Sequence, residues 1–217
     1  MGMEVLIALG VAMAVDLLFN VVGGLIKRWG QQKKLPENAQ AELSDTDREK
    51  IEVTQRLIAD CFGDNVVERI KNASNKDRIA LMTEFADRLA REYGLDIEVD
   101  VTVDNIQNCG AYNWEKRKAV FNISLLMIDG NHAQFDYCVR ETLDTIIHEL
   151  RHAVQHKAIQ EPGFWNVSDE RRTAWANNMT KGNYITAAVD ARAYVGQPIE
   201  RDAFTFAAAA MEGVHGL

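Results

Sequence analysis

Apolar residues run almost without interruption through residues 5–26, and only Asp16 and Asn20 break the run. The run is long enough to cross a bilayer as a helix. Small and polar side chains recur at every fourth position, on one stripe of such a helix: Ala8, Ala12, Asp16, Asn20, Gly24 and Arg28. A narrow stripe of this kind favours close packing between helices. We therefore predict that residues 1–28 form a hydrophobic helix that either spans a membrane or joins copies of the chain in a homo-oligomer.

Basic residues follow the apolar run, at Lys27, Arg28, Lys33 and Lys34. By the positive-inside rule, the rest of the chain would then stay on the cytoplasmic side of a membrane. The expectation is a membrane-associated protein whose folded part lies in the cytoplasm. The alternative is a soluble cytoplasmic protein in which the helix is buried against protein, because a charged side chain such as Asp16 is costly in mid-membrane.

A polar linker over residues 29–45 separates this segment from several stretches with helical periodicity. Ser44 or Asp45 could cap the first of the helices that follow. A shorter helical piece around residues 66–70 and a longer helix over residues 76–93 come next, since apolar side chains recur there at helical spacing.

The period changes at residues 95–103, where apolar and acidic side chains alternate as in a half-buried strand. Residues 108–114 and 118–123 predict two more strands, joined by a charged turn. The pattern then predicts a helix over residues 134–157. It ends with a C-terminal tail that is helical in two parts. Helices, a small sheet and then further helices predict one α+β domain that follows the linker and fills residues 46–217.

The 217-residue chain is acidic, with a formal net charge of -8. An acidic chain is poorly suited to binding nucleic acid through a basic face, so we expect no nucleic-acid partner. The three cysteines, Cys61, Cys109 and Cys138, lie far apart and form no CxxC pair. This sparse set favours buried free thiols in a reducing compartment over a disulfide framework.

The sequence His148-Glu149-Leu150-Arg151-His152 lies inside the helix predicted over residues 134–157. Two histidines four residues apart share one helix face, so both imidazoles can bind a single zinc ion. The glutamate between them lies near the open position of such a metal, where it can accept a proton from a bound water. The spacing therefore predicts one Zn²⁺ per chain, with Glu149 as general base.

A catalytic zinc commonly has three protein ligands, and this motif supplies two. His156 lies two helical turns after the first histidine, too far along the helix to reach the same ion easily. An acidic residue on a later helix is the alternative, and the candidates are Asp190, Glu200 and Asp202. We favour Glu200 at a predicted helix start, with Asp202 placed to support the ligands. Glu200 could also act there only through the helix dipole.

Together the H-E-x-x-H motif at residues 148–152 and the segment that begins at Glu200 resemble the gluzincins, the zincin metallopeptidases whose third ligand is a glutamate. The pattern E-x-D-A-x-x-F-A over residues 200–207 is similar to the small bacterial and phage-associated peptidases of the ImmA/IrrE type. The resemblance covers about residues 97–211, with an insertion around residues 164–184. It implies a zincin-like domain in which His148, His152 and Glu200 bind zinc.

The resemblance further implies an enzyme that hydrolyses peptide bonds in a protein or peptide substrate. Tyr194, Tyr184 and Tyr112 are the candidate donors to the oxyanion that forms during such a reaction. Asp202 or Asp190 would hold the ligating histidines in place. The alternative function is that of a membrane-associated or assembly-associated structural or binding protein with a non-catalytic zincin domain. Glu149 distinguishes the peptidase from the non-catalytic protein, because only an enzyme needs its carboxylate.

Overall fold

The computed structural model describes residues 42–103, 109–180, 182–214 and 216–217. Its helices are α1 (Asp45–Phe62), α2 (Val66–Lys71), α3 (Asn75–Glu92), α4 (Phe135–Gln160), α5 (Asp169–Met179), α6 (Ala191–Gly196) and α7 (Pro198–Met211). The strands β1 (Glu98–Thr102), β2 (Gly110–Asn113) and β3 (Lys118–Asn122) lie between α3 and α4. Two 3₁₀ turns occupy Ser124–Met127 and Phe164–Asn166. The predicted α+β order is confirmed.

The hydrophobic helix predicted at residues 1–28 lies outside the described residues. Among the helices that the structure describes, none is both long enough and apolar enough to cross a bilayer.

Local side-chain chemistry sets where the first helices begin. Ser44 is the cap of α1: its hydroxyl accepts a hydrogen bond from the Asp47 amide at 3.1 Å, and its own amide donates to Asp47 Oδ2 at 2.9 Å. This reciprocal pair satisfies amides that a helix start leaves without partners. Asn65 and Ser74 cap α2 and α3, each accepting a hydrogen bond from a helix amide through its side-chain oxygen. Of the two caps considered from the sequence, Ser44 is therefore the one used.

The sheet has the strand order β1-β3-β2 and is mixed. β3 pairs in parallel with β1 and antiparallel with β2, with Ala119 opposite both Val99 and Tyr112. Ala119 and Phe121 of β3 are buried, as expected for the central strand. β2 is an edge strand that packs on α4, which brings the sheet to the helix that carries the H-E-x-x-H motif.

α4 and α7 pack against each other in the core. The inward side of α4 carries a continuous apolar set of Val139, Leu143, Ile146, Ile147, Leu150 and Val154, all fully buried. α7 presents small side chains at Ala203, Ala207 and Ala210, also fully buried. Because alanines keep the two helix backbones close, polar side chains from both helices can meet at one point.

Residues 164–184, predicted as an insertion of unassigned structure, contribute to the core. Trp175 of α5 is buried, and so is Trp165 in the preceding 3₁₀ turn. Trp165 has φ of 59°, in the left-handed region that is rare for a bulky residue. From this backbone its indole donates a hydrogen bond to Asp47 Oδ1 at 3.1 Å. The segment therefore ties α1 to α4 and α7.

Candidate metal centre

Three polar side chains from α4 and α7 converge in the interior. The Nε2 atoms of His148 and His152 lie 3.0 Å apart. Glu200 reaches them from α7, with Oε2 at 3.3 Å from His148 Nε2 and Oε1 at 3.4 Å from His152 Nε2. Glu200 is 1% exposed and His148 5% exposed. Among the residues that the structure describes, this is the cluster of histidine, cysteine and acidic side chains that could hold a metal ion.

The spacing of these atoms fits a tetrahedral metal. Ligand atoms at ~2.0–2.1 Å from a tetrahedral zinc lie about 3.3 Å from one another. The three separations here, 3.0, 3.3 and 3.4 Å, are close to that value. Apart from its approach to His148, the buried Oε2 of Glu200 accepts no hydrogen bond from the described residues. A buried carboxylate oxygen in that state favours a neighbouring cation, so the residues present suit a bound zinc ion.

Gln155 sets the tautomer of His152. Its Oε1 lies 2.8 Å from His152 Nδ1, and an amide oxygen can only accept a hydrogen bond. The amide orientation is fixed because its Nε2 donates to Asp202 Oδ2 at 2.6 Å and to the Ile199 carbonyl at 2.9 Å. Nδ1 of His152 therefore carries a proton, which leaves Nε2 as the nitrogen that can bind a metal ion.

Asp202, expected to support the ligands directly, reaches His152 through Gln155. Asp190, the other acidic candidate, lies elsewhere: its carboxylate caps α6 by accepting from the Arg192 and Ala193 amides at 2.9 Å each. Sequence reasoning did not identify Gln155. Its place three residues after His152, on a neighbouring helix face, is the signal that could have found it.

Glu149 is half-buried beside the cluster and is held by the edge strand. Its Oε2 accepts a hydrogen bond from the Tyr112 amide in β2 at 2.9 Å. This approach requires a glycine at position 110. A Cβ there would lie 2.6 Å from Thr145 Cγ2 and 3.0 Å from Glu149 Cγ. The close packing of β2 on α4 thus orients the carboxylate next to the two histidines.

Tyr184 and Tyr194, two of the three tyrosines singled out from the sequence, contact the Glu200 carboxylate. The Tyr184 hydroxyl donates to Oε1 at 2.7 Å, and the Tyr194 hydroxyl also bonds to the carboxylate. Burial first, and then the charge of Glu200, raises the pKa of both phenols, so both stay protonated at neutral pH. They form a neutral donor pair on one side of the cluster.

Tyr112 and His156 lie away from the three converging side chains. The Tyr112 hydroxyl is 3.0 Å from His156 Nδ1, and Gln160 Nε2 is 2.9 Å from His156 Nε2. Both ring nitrogens of His156 therefore have protein partners. The structure does not bring His156 to Glu200, and the Tyr112 side chain does not reach the cluster; only its backbone amide contacts Glu149.

Glu200 and His152 hold each other in ionised form. Burial alone would raise the pKa of Glu200, but the His152 and His148 imidazoles lower it well below its usual range. Burial opposes protonation of His152, yet the Glu200 carboxylate raises the pKa of His152 to about 9. Without a metal the site therefore holds a proton at neutral pH, and a bound cation would displace it. Comparison of the chain with protein-family models, curated proteins and solved structures gives no match.

Proposed function

We propose that this protein is a zinc-dependent metallopeptidase of the gluzincin type, with one Zn²⁺ per chain. The observation that carries the proposal is the convergence of His148, His152 and Glu200 at the separations of a tetrahedral site, with Glu149 beside them. The donor set of two imidazoles and one carboxylate suits zinc and leaves a fourth position for water or substrate.

Zinc bound in this way lowers the pKa of a bound water toward neutrality and polarises the scissile carbonyl. The ligands would be Nε2 of His148, Nε2 of His152 and the Glu200 carboxylate. The hydrogen bond that His152 Nδ1 donates to Gln155 Oε1 keeps Nε2 of His152 directed into the site. Side chains around the ligands would transfer the proton and stabilise the oxyanion.

Glu149 supplies the general base. The Tyr112 amide occupies its Oε2, so the second oxygen is the atom that takes the proton of the attacking water and passes it to the leaving amine. The fixed amide contact holds the carboxylate in one orientation through both transfers.

Tyr184 and Tyr194 supply the donors to the oxyanion. Both phenols remain protonated, because burial and Glu200 raise the pKa of each. Both already lie at the Glu200 carboxylate, within the same small volume as the ligands. Each hydroxyl has one proton to donate, so a phenol would turn from the Glu200 carboxylate to donate to the negative oxygen that forms when water attacks the carbonyl.

Replacing Glu149 with glutamine tests the proposal. Glu149→Gln should retain about one zinc per chain and lose peptidase activity on an unfolded protein such as casein by at least ~100-fold, because it removes the proton acceptor but no ligand. The matched control is Glu161→Gln, an exposed glutamate just after the same helix, which should keep both properties.

Two outcomes would contradict the proposal, one through the role of Glu149 and one through the activity of the wild type. A Glu149→Gln protein that cleaves at the wild-type rate would remove Glu149 from the mechanism. A wild-type protein that binds zinc but cleaves no peptide bond would favour the alternative, a non-catalytic zincin domain in a membrane-associated or assembly-associated protein.

A further inference from the structure

A second buried cluster of charges lies beside the candidate metal centre. It consists of Asp47 of α1, Arg151 of α4, Arg171 of α5 and Asp202 of α7, which we call the charge cluster. Arg151 Nη2 lies 2.8 Å from Asp47 Oδ1, and Arg151 Nε lies 2.8 Å from Asp202 Oδ2. Arg171 bridges the same two carboxylates, with Nη1 at 2.7 Å from Asp47 Oδ2 and Nη2 in contact with Asp202 Oδ1. Four helices that are distant in sequence meet at this point.

Three of the four residues of the charge cluster are buried, and the fourth, Arg171, has a side chain that is 21% exposed. Asp47 and Arg151 are each 0% exposed. Aromatic rings surround the Arg151 guanidinium, with ring centroids at 4.6 Å for Phe206, 5.4 Å for Trp165 and 5.6 Å for Trp175. Apolar side chains could join the same helices without removing four charges from water. What paired buried charges add is a defined geometry between the elements that carry them, although Arg151 Nη1 has no hydrogen-bond partner among the described residues.

Two residues connect the charge cluster to the ligands of the candidate metal. Asp202 is two positions after Glu200 on α7, and Arg151 is the residue before His152 on α4. Asp202 Oδ2 also accepts from Gln155 Nε2 at 2.6 Å, and Gln155 in turn fixes the tautomer of His152. A shift of Asp202 would therefore move Glu200 and release Gln155 at the same time.

Asp47 lies on α1, whereas the candidate metal ligands lie on α4 and α7. Its carboxylate neutralises the two arginines that hold Asp202, and it also accepts from the Trp165 indole and caps α1 with Ser44. We propose that the charge cluster is a positioning device for the metal ligands, and that Asp47 is a positioning residue for metal binding although it touches none of them. This inference rests on the proposed zinc site.

The experiment compares zinc affinity in full-length variants, by competition with a chromophoric chelator, and the visible spectrum after Co²⁺ is bound in place of zinc. Asp47→Asn keeps the side-chain shape and should weaken zinc binding about 10-fold, with an altered Co²⁺ spectrum. Gln155→Leu keeps all four charged residues but removes the link from Asp202 to His152, and should weaken binding by ~10–100-fold. Since both act on the same ligands, the double variant should lose less than the product of the two single effects.

Arg78→Met is the matched control for general loss of packing. Arg78 is a buried arginine of α3 whose guanidinium donates to the carbonyls of Ile70, Lys71 and Ile128, away from the candidate ligands. It should lower stability while zinc affinity stays within about 2-fold of wild type, because none of its contacts reaches the site.

Three results would overturn the inference. Wild-type zinc affinity and Co²⁺ spectrum in Asp47→Asn would mean that the charge cluster is structural only, with the proposed function intact. If Asp47→Asn does not fold, unchanged zinc affinity in Gln155→Leu would lead to the same conclusion. A wild-type protein that binds no zinc would remove the proposed function and this inference together.

Discussion

Gly110 of β2 packs tightly against α4. An added methyl group would meet Thr145 Cγ2 at 2.6 Å and Glu149 Cγ at 3.0 Å. Gly110→Ala should therefore push β2 away from α4, break the hydrogen bond from the Tyr112 amide to Glu149, and lower kcat by ~10-fold or more. The strain should also reduce the free energy of unfolding by ~1–3 kcal/mol.

Zinc content separates this effect from loss of the site. Gly110→Ala touches none of the three candidate ligands, so about one zinc per chain should remain. Gly196→Ala is the control, because a Cβ there has no atom within 4 Å. Unchanged kcat in Gly110→Ala, measured beside that control, would show that the contact of β2 with Glu149 is not needed for the reaction.

At this scale the sequence predicted the residues that follow from spacing. His148, Glu149 and His152 follow from the four-residue period of a helix, whereas Glu200 was favoured among three acidic candidates for its position at a helix start. The sequence did not reveal the role of Gln155, because an amide side chain has no preferred role in a sequence pattern. Its function depends on Asp202 and Ile199, which come from a helix more than 40 positions later.

Among the elements, α1 and α7 carry the carboxylates most affected by neighbouring charge. Burial alone would raise the pKa of Asp47 and of Asp202, but Arg151 and Arg171 lower both below their usual range. A carboxylate whose pKa is lower in the folded state contributes stability that is present above its unfolded pKa of ~3.9 and is lost as pH falls toward the folded value.

Acid denaturation of the metal-free protein measures this contribution. Urea unfolding of the wild type should show a free energy of unfolding that falls as pH drops below about 4, because protons bind first to the unfolded state. Asp47→Asn should show a shallower fall over the same range. Asp96→Asn, at an exposed carboxylate, should keep the wild-type slope. Identical slopes in wild type and Asp47→Asn would show that Asp47 is not stabilised by its arginines.

The sequence predicts helices that have a regular apolar period, but it does not predict which strands or helices each element packs against. The alternation at residues 95–103 indicates a strand but does not say that β1 pairs in parallel with β3. α5 went unassigned because its sequence is mostly polar and its packing rests on Trp175. Tertiary contacts, which a local pattern cannot contain, decide both cases.

For the molecule as a whole, the side chains of the candidate centre and of the charge cluster all come from residues 47–202. The predicted hydrophobic helix and its linker precede them. A chain that lacks residues 1–34 should therefore bind zinc as the full-length chain does, and should move from the membrane fraction to the soluble fraction on cell lysis.

Fractionation and zinc content of the two chains, measured side by side, check this expectation. A full-length protein that is already soluble without detergent and monomeric would contradict both the membrane and the oligomer hypotheses for residues 1–28. Loss of zinc from the truncated chain, with its fold retained, would mean that the missing segment supports the site.

Metal content tests the central claim most directly. Purified wild type, Glu200→Ala and His156→Ala should be compared by mass spectrometry. About one zinc per chain is expected in the wild type and in His156→Ala, whose imidazole pairs with Tyr112 and Gln160, and none is expected in Glu200→Ala. Full zinc in Glu200→Ala, or no metal in any of the three even after zinc is added, would contradict the His148, His152 and Glu200 site.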